Sequence, residues 1–475
     1  MNHIRLRFCS CLFLLLVAEV ADAQLYLGVA TGEYNAMNSI YLNPANIAGS
    51  KEKIAISLIS FGIAADNNLG TFSKLSDITS GSTNAFNNSG TKDFNMMIPT
   101  AQIRGPGIMV GLNDEHQQSF ALTTRIRVMN QFNNFDQSLY SLVTNPNQSS
   151  TQNYNYQTSN FNWTAHLWSE IGLSYGLVIV DNGQSQLKAG ITLRYLGGID
   201  YLGLKGNNLN VSYKAGNDTF YASQSDLEFA SNVISAKNAI TDGVTSSSLL
   251  SSFFGSKAGS GLGADIGVTY TYRFDDDGIP GKKDDDNIDG HKIKVAAAVT
   301  DLGAITYKEG NNFVVNVTGN GYVTGTGLSE NYSNYSDFRN YAVSHGFTAD
   351  TASKSVKVHM PTALVLSADY QIYQHVFANL TYLGNLVNRQ LYGNSYYSQI
   401  TVTPRYDMKI FSIGMPITYS MLADDVKLGL GFRVGGFFFG SDDMLALFGS
   451  NQHGFGFYFG GCIPLFKKAP QQEIR

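Results

Sequence analysis

The residues of this chain best suited to chemistry are charged side chains set at alternate positions in otherwise apolar stretches. They are Arg125, Arg127, Lys188, Arg194, Arg273, Arg405, Lys427 and Arg433, with Glu170, Asp265 and Asp369. Each falls on the polar face of a segment whose other face is apolar. If that apolar face meets lipid, an Arg or Lys turned outward at mid-membrane would cost about 2–4 kcal/mol, so phase alone assigns these charges to an interior. Two readings follow. The charges pair with one another and rigidify the interior, or they form a cationic surface that attracts an anionic solute or a fatty-acid carboxylate, which the planar arginine fork binds in bidentate fashion.

Other candidates are weaker. The acidic stretch from Asp275 to Gly290 holds Asp285, Asn287, Asp289 and Gly290 at the spacing that opens a calcium loop, but the twelfth position, which needs a bidentate Glu, is Ala296. A solvated turn is expected there, with calcium binding as the alternative. The eight histidines are scattered without metal-ligand spacing, and none sits beside a serine nucleophile motif. Neither an enzyme nor a cofactor is expected.

The elements that carry the charges read as long strands. From Leu262 to Phe274 the even positions are all apolar and the odd ones small, polar or charged. An unbroken period of two over that length passes the ~9–11 residues that a tilted strand needs to cross a bilayer. Its aromatics gather at one end, as in an interfacial girdle. Similar runs recur at Ile54–Ile63, Ile108–Leu112, Phe120–Met129, Ile171–Val180, Leu187–Tyr195, Ile293–Leu302, Leu364–Tyr373, Val376–Leu383, Ile400–Tyr406, Phe411–Tyr419, Leu428–Phe439 and Phe455–Phe466. Short connections alternate with long ones. The fold class is therefore all-β, a transmembrane antiparallel barrel with short periplasmic turns and long extracellular loops. These runs make one fewer than the even number such a barrel needs, so about fourteen strands (12–16) are expected. The missing one is sought within Asp66–Arg104 or in a long loop, and Leu227–Phe254 has some helical spacing.

Arg5, Arg7, an apolar run from Cys11 to Ala18 and Ala21-Asp22-Ala23 form an export signal, so residues 1–23 are expected to be removed. Cys9 and Cys11 leave with it, and Cys462 is then the one remaining cysteine, with no disulfide partner. The signal takes two arginines and two acids, so the formal net charge stays at -5, which gives no reason to expect a nucleic-acid partner. No mature run is apolar for the ~20 residues of a membrane helix. Residues 24–50 contain Asn43-Pro44-Ala45-Asn46, where Pro44 cannot donate to a ladder. This segment is expected to lie inside or beneath a barrel of residues 51–466, as a plug whose carbonyls and Asn43 and Asn46 amides meet inner arginines. Residues 467–475 form a polar periplasmic tail.

With Asn43 to Ala48 ahead of the first strand, the chain resembles the outer-membrane barrels related to the long-chain fatty-acid transporter. It more closely resembles a family of uncharacterised Bacteroidota outer-membrane barrels, through Tyr41–Ala48, Gly261–Tyr272, Thr300–Ile305, Pro361–Leu364, Thr401–Tyr406, Gly429–Gly440 and Tyr458–Gly460. The closing aromatic Phe466 resembles the signal read by barrel-assembly machinery. These resemblances imply residence in outer-membrane lipid, assembly by that machinery, and binding or passage of a small or hydrophobic solute. A structural or docking barrel whose loops bind an envelope partner is the alternative.

Overall fold

The computed structural model describes residues 26–72, 86–88, 93–112, 117–137, 153–232, 258–273, 291–309, 313–324, 327, 335–389, 391–445 and 452–466. Among them no helix is long and apolar enough to cross a membrane. Fourteen antiparallel strands close a barrel. They are β1 (Glu52–Asn67), β2 (Asp93–Arg104 and Gly107–Gly111), β3 (Gln118–Asp136), β4 (Tyr154–Thr158 and Phe161–Asp181), β5 (Ser185–Lys214), β6 (Thr219–Ser231 and Gly259–Tyr272) and β7 (Ile293–Tyr307 and Phe313–Thr324). The second half comprises β8 (Thr348–Ser353, Val356–His359 and Ala363–Tyr373), β9 (Val376–Asn385), β10 (Gln399–Asp407), β11 (Phe411–Gly414 and Ile417–Ser420), β12 (Asp425–Leu428 and Leu430–Val434), β13 (Phe437–Ser441) and β14 (Gly454–Phe466). Each strand pairs with the next, and β14 pairs with β1 from Glu52↔Phe466 to Asp66↔Gly454, so no edge is left open.

The fourteenth strand was hidden by a merger, not lost in Asp66–Arg104 or a loop. The run Leu428–Phe439 is two strands folded at Gly435-Gly436, with Val434 opposite Phe437. Gly435 has φ 59°, the left-handed conformation that glycine adopts without Cβ strain. Apolar residues on both sides of so tight a turn keep the alternation going through it. The stretch Asp66–Arg104 instead supplies the upper half of β2.

Strands β1 to β8 also rise beyond the apolar belt. Residues read as loop, such as 203–214, 219–231, 313–324 and 348–353, extend the wall, and Leu227–Ser231 is strand instead of helix. The reason is burial on the inner face: Phe94, Phe135, Tyr156, Phe161, Tyr213, Phe220, Val315 and Phe347 form a second core inside this collar, which rewards an extended backbone over a helical one. The helix α1 (Tyr335–Ser344) of the loop before β8 packs on it through Ala342.

Below the collar the two faces separate as the sequence implies. Ile266 and Val268 are 52% and 47% exposed on the outside, while Asp265 and Thr269 are 0% and 1% exposed inside. Ile266→Arg should therefore sharply reduce the heat-modifiable, assembled fraction on gels, at a cost of about 2–4 kcal/mol. Thr269→Arg should disturb only the interior and assemble. Equal assembly of the two would contradict this register.

Candidate site: a closed lumen

The end that holds the short turns, the start of β1 and the end of β14 is taken as periplasmic. From that end residues 26–50 fold into the lumen as short turns: α2 (Leu27–Ala30), α3 (Ala36–Ser39) and a 3-10 turn at Pro44–Ile47. Pro44 at the first position of that turn loses no backbone bond, and Asn43 caps it by accepting from Ala45 N at 2.8 Å. The Asn43 amide donates to Val268 O at 2.9 Å and Thr269 Oγ1 at 3.3 Å on β6. Asn46 donates to Ser39 O at 3.2 Å and accepts from Thr269 Oγ1 at 3.4 Å. These amides thus meet main chain and hydroxyls instead of the expected arginines, because the turn lies below the level of the arginine layer.

A row of small residues makes room for the turn. Gly176 of β4, Gly190 of β5 and Gly267 of β6 stand directly across from one another, and Ala298 of β7 continues the row. A Cβ on Gly190 would lie 2.4 Å from Ala45 N, one on Gly267 2.2 Å from Asn43 Oδ1, and one on Gly176 2.7 Å from an Ile47 side-chain carbon. The groove is therefore shaped to the backbone of Asn43–Ala48. At the opposite wall Tyr26 stacks on Tyr458 with ring centres 4.5 Å apart.

Above this segment a charge layer crosses the lumen. Arg125, Arg127 and Arg194 face Glu170, Asp265 and Asp301, all buried. Arg125 bonds Glu170 at 2.7 Å and Asp301 at 2.9 Å, and Arg127 bonds Asp301 at 2.9 Å. Arg194 takes Asp265 in bidentate fashion and reaches Asp301 at 3.2 Å. Asp301 was not among the charges singled out from sequence, since it sits in a break of the alternation. Its φ of 54° and that of Gly303 (135°) form a bulge in β7 opposite Asp265, which turns the carboxylate inward. The gap this opens toward β8 is bridged by Thr362 Oγ1 to Asp301 O at 2.8 Å and Met360 N to Gly303 O at 3.1 Å.

A second segment closes the lumen from the other side. The connection between β9 and β10, of which 386–389 and 391–398 are described, folds inward. Ser395 N and O exchange bonds with the Gln131 side chain at 2.8 and 2.9 Å, and the Asn394 amide donates to Met129 O and Thr164 O, each at 3.3 Å. Tyr396 donates to Asp301 at 3.0 Å and accepts from Arg127. The signal available in sequence was its composition, since Tyr392, Asn394, Ser395, Tyr396 and Tyr397 suit a buried, hydrogen-bonded surface better than an open loop.

Most of the remaining charges serve the periplasmic half, while the pair of Lys427 and Asp66 lies at the opposite end. Arg405 clamps Asp369 at 2.5 and 2.7 Å, Asp369 accepts from His291 at 2.5 Å, and His291 reaches Glu33 of the inner segment at 3.4 Å. Lys294 also pairs with Glu33. Glu33, His291 and Asp369 present donor atoms within 4.8 Å of one another. Arg405 and Lys294 already neutralise the two carboxylates, so the cluster is a charge latch and offers a metal little unspent charge. Arg433 binds the turn carbonyls of Met408 and Lys409 at 2.5 and 3.0 Å, Lys427 pairs with Asp66 at 2.9 Å, and Arg273 pairs with Asp181 at 3.1 Å near the rim. Lys188 lines the cavity below the 3-10 turn. The calcium-like residues Asp285, Asn287 and Asp289 lie outside the described residues.

Burial pushes the Glu33 carboxyl up, but Lys294 and His291 outweigh it and hold the group well below its ordinary 4.5. A depressed carboxylate contributes stability above its unfolded pKa and loses it as pH falls through the folded one. The Glu33 carboxylate should therefore stay charged at neutral pH, and its contribution to the latch should be lost only in acid. Glu33→Gln should mimic that acid state at neutral pH, increasing protease cleavage within residues 26–50. Unchanged cleavage would remove the latch.

A family described as "Family of unknown function (DUF5723)" matches residues 44–442, from the proline of the inner turn to the end of β13. The chain belongs to this family. No curated protein sequence matches it. Solved structures similar to this DUF5723 barrel include the Pseudomonas putida toluene transporter TodX, at 9% identity and TM-score 0.38, covering 90% of this chain and 91% of that one. The Ralstonia pickettii toluene transporter TbuX is similar at 10% identity and TM-score 0.39, covering 90% and 93%. A Pseudomonas aeruginosa FadL homologue is similar at 12% identity and TM-score 0.33, covering 95% and 100%. The closed antiparallel barrel of the DUF5723 chain rests on its own strand pairing, from β1 round to β14.

Proposed function

We propose that this protein is a gated outer-membrane channel for a small hydrophilic solute, held closed by two of its own segments. The observation that carries the reading is that the lumen is shut by two pieces of chain, residues 26–50 and 386–398, which meet one charge layer from opposite sides. Tyr41 of the first lies 4.3 and 4.9 Å from the guanidinium carbons of Arg104 and Arg125, and Tyr396 of the second bonds Arg127 and Asp301. Both segments are held partly by hydrogen bonds that water can replace, alongside the apolar packing of Leu27, Val29, Met37 and Ile40 in the first and of Tyr392 and Tyr397 in the second. A cavity of about 460 Å³ between the inner segment and the wall supports passage, and its polar lining favours a hydrophilic solute over a hydrophobic one.

The second reading, a structural barrel that docks an envelope partner through its loops, is favoured by the charge layer itself. Three arginines against three carboxylates fill the middle of the lumen and neutralise one another. Liposome swelling separates the two. A chain lacking 24–43 and with 387–397 replaced by a short Gly-Ser linker should admit a small sugar, whereas the intact chain should not. A double variant that is heat-modifiable yet impermeable would favour the scaffold.

A further inference from the structure

We propose that the periplasmic cavity is a binding site for a small oxyanion, a carboxylate or phosphate group, an inference that rests on the channel reading by naming the class of solute the lumen holds. The cavity measures about 460 Å³, within the roughly 300–1,000 Å³ of small-molecule sites. Among the described residues its walls carry Lys51, Lys188, Arg273 and Lys294 against two carboxylates, Glu33 and Asp181, which pair with Lys294 and Arg273. Such an excess in a recess with low-dielectric walls concentrates anions.

The donors are most ordered on β5 and β6. Thr269 stands across from Lys188 and Thr271 across from Gln186, and Arg273 follows at the next inward position. Thr271 Oγ1 is buried without a hydrogen-bond partner, and so is Arg273 Nε, although the Arg273 Nη1 group is spent on Asp181 and Gly183 O at 3.1 Å each. A buried hydroxyl and a buried N–H left unpaired are unfavourable, and an acceptor placed between them removes the penalty. Both line the same cavity as the Lys188 ammonium. One oxyanion supplies several acceptor lone pairs at once, which a neutral apolar solute does not.

The test is titration calorimetry on the intact chain in zwitterionic detergent at neutral pH, with inorganic phosphate in one arm and citrate in the other. Binding of at least one probe is expected, weakening with added salt, and the Lys188→Gln/Thr271→Val double variant should bind at least about tenfold more weakly, or about 1.4 kcal/mol. Retained heat-modifiability of that variant shows that the barrel still forms; should it fail to assemble, Thr271→Ser, which keeps the hydroxyl, must bind as the intact chain does. Preference for phosphate or for citrate identifies the group. No binding of either probe by the intact chain, or equal binding by an assembled double variant, overturns the site. Because no opening is needed, binding by a chain whose double deletion stays impermeable would retain the site and discard the channel, and the reverse outcome would do the opposite.

Discussion

Asp301→Ala should destabilise the barrel by roughly 3–5 kcal/mol, the cost of removing one partner from a buried charge set and leaving the other uncompensated. Asp301 is shared by Arg125, Arg127 and Arg194, at 2.9, 2.9 and 3.2 Å. Its loss leaves three buried guanidiniums with Glu170 and Asp265 alone. It also removes the acceptor for Tyr396, so the upper segment keeps only the bond that Tyr396 accepts from Arg127 of the layer. Urea titration of the folded, heat-modifiable form in lipid vesicles measures the cost. Asp301→Asn, which keeps one acceptor oxygen, should fall between Ala and the intact chain. A cost within about 0.5 kcal/mol, the range of ordinary surface substitutions, would mean that the layer is not the electrostatic unit described.

The second large effect should come from filling the glycine row. Gly190→Leu places side-chain carbons where Pro44 and Ala45 now lie, and the nearest obstacles are backbone atoms of the inner turn. A flexible side chain could move aside, but this turn is pinned by Asn43 to β6, so overpacking of about 1–3 kcal/mol is relieved only by displacing the segment. The three atoms nearest to the added Cβ all belong to the inner turn and none to the barrel wall. The expected result is an assembled barrel in which residues 26–50 become protease-sensitive. Leu at Gly183, a periplasmic turn position with nothing within 4 Å but a φ of 83°, would test strain instead of filling and is a poor control. Ala298→Gly, which widens the same row, is the better one and should leave the segment protected.

What was legible in the sequence follows from period. Strand phase places Arg125, Arg127, Arg194, Asp265, Asp369, Arg405 and Arg433 inside, and each is buried there. Period fails where the backbone departs from it. Asp301 sits on a positive-φ bulge, the β12–β13 turn hides in continuous alternation, and the collar strands alternate poorly because their inner face packs on aromatics. The inward loop at 386–398 has no period at all. Its position depends on partners such as Gln131, about 260 residues away in the chain, which no local pattern encodes. The groove under Asn43–Ala48 was encoded, as Gly176, Gly190 and Gly267, but only register aligns three glycines so far apart in sequence into one row.

Two segments that seal one lumen in series make a definite prediction for planar-bilayer conductance. Four chains are compared: intact, lacking 24–43, with 387–397 replaced by a short linker, and carrying both changes. Seals in series predict that each single change leaves the conductance small, because the other segment still blocks the path, and that the combined change raises it far more than the sum of the two. Full conductance on removing residues 24–43 alone would contradict the upper seal, and a silent double variant that still shows heat-modifiable migration would contradict the channel.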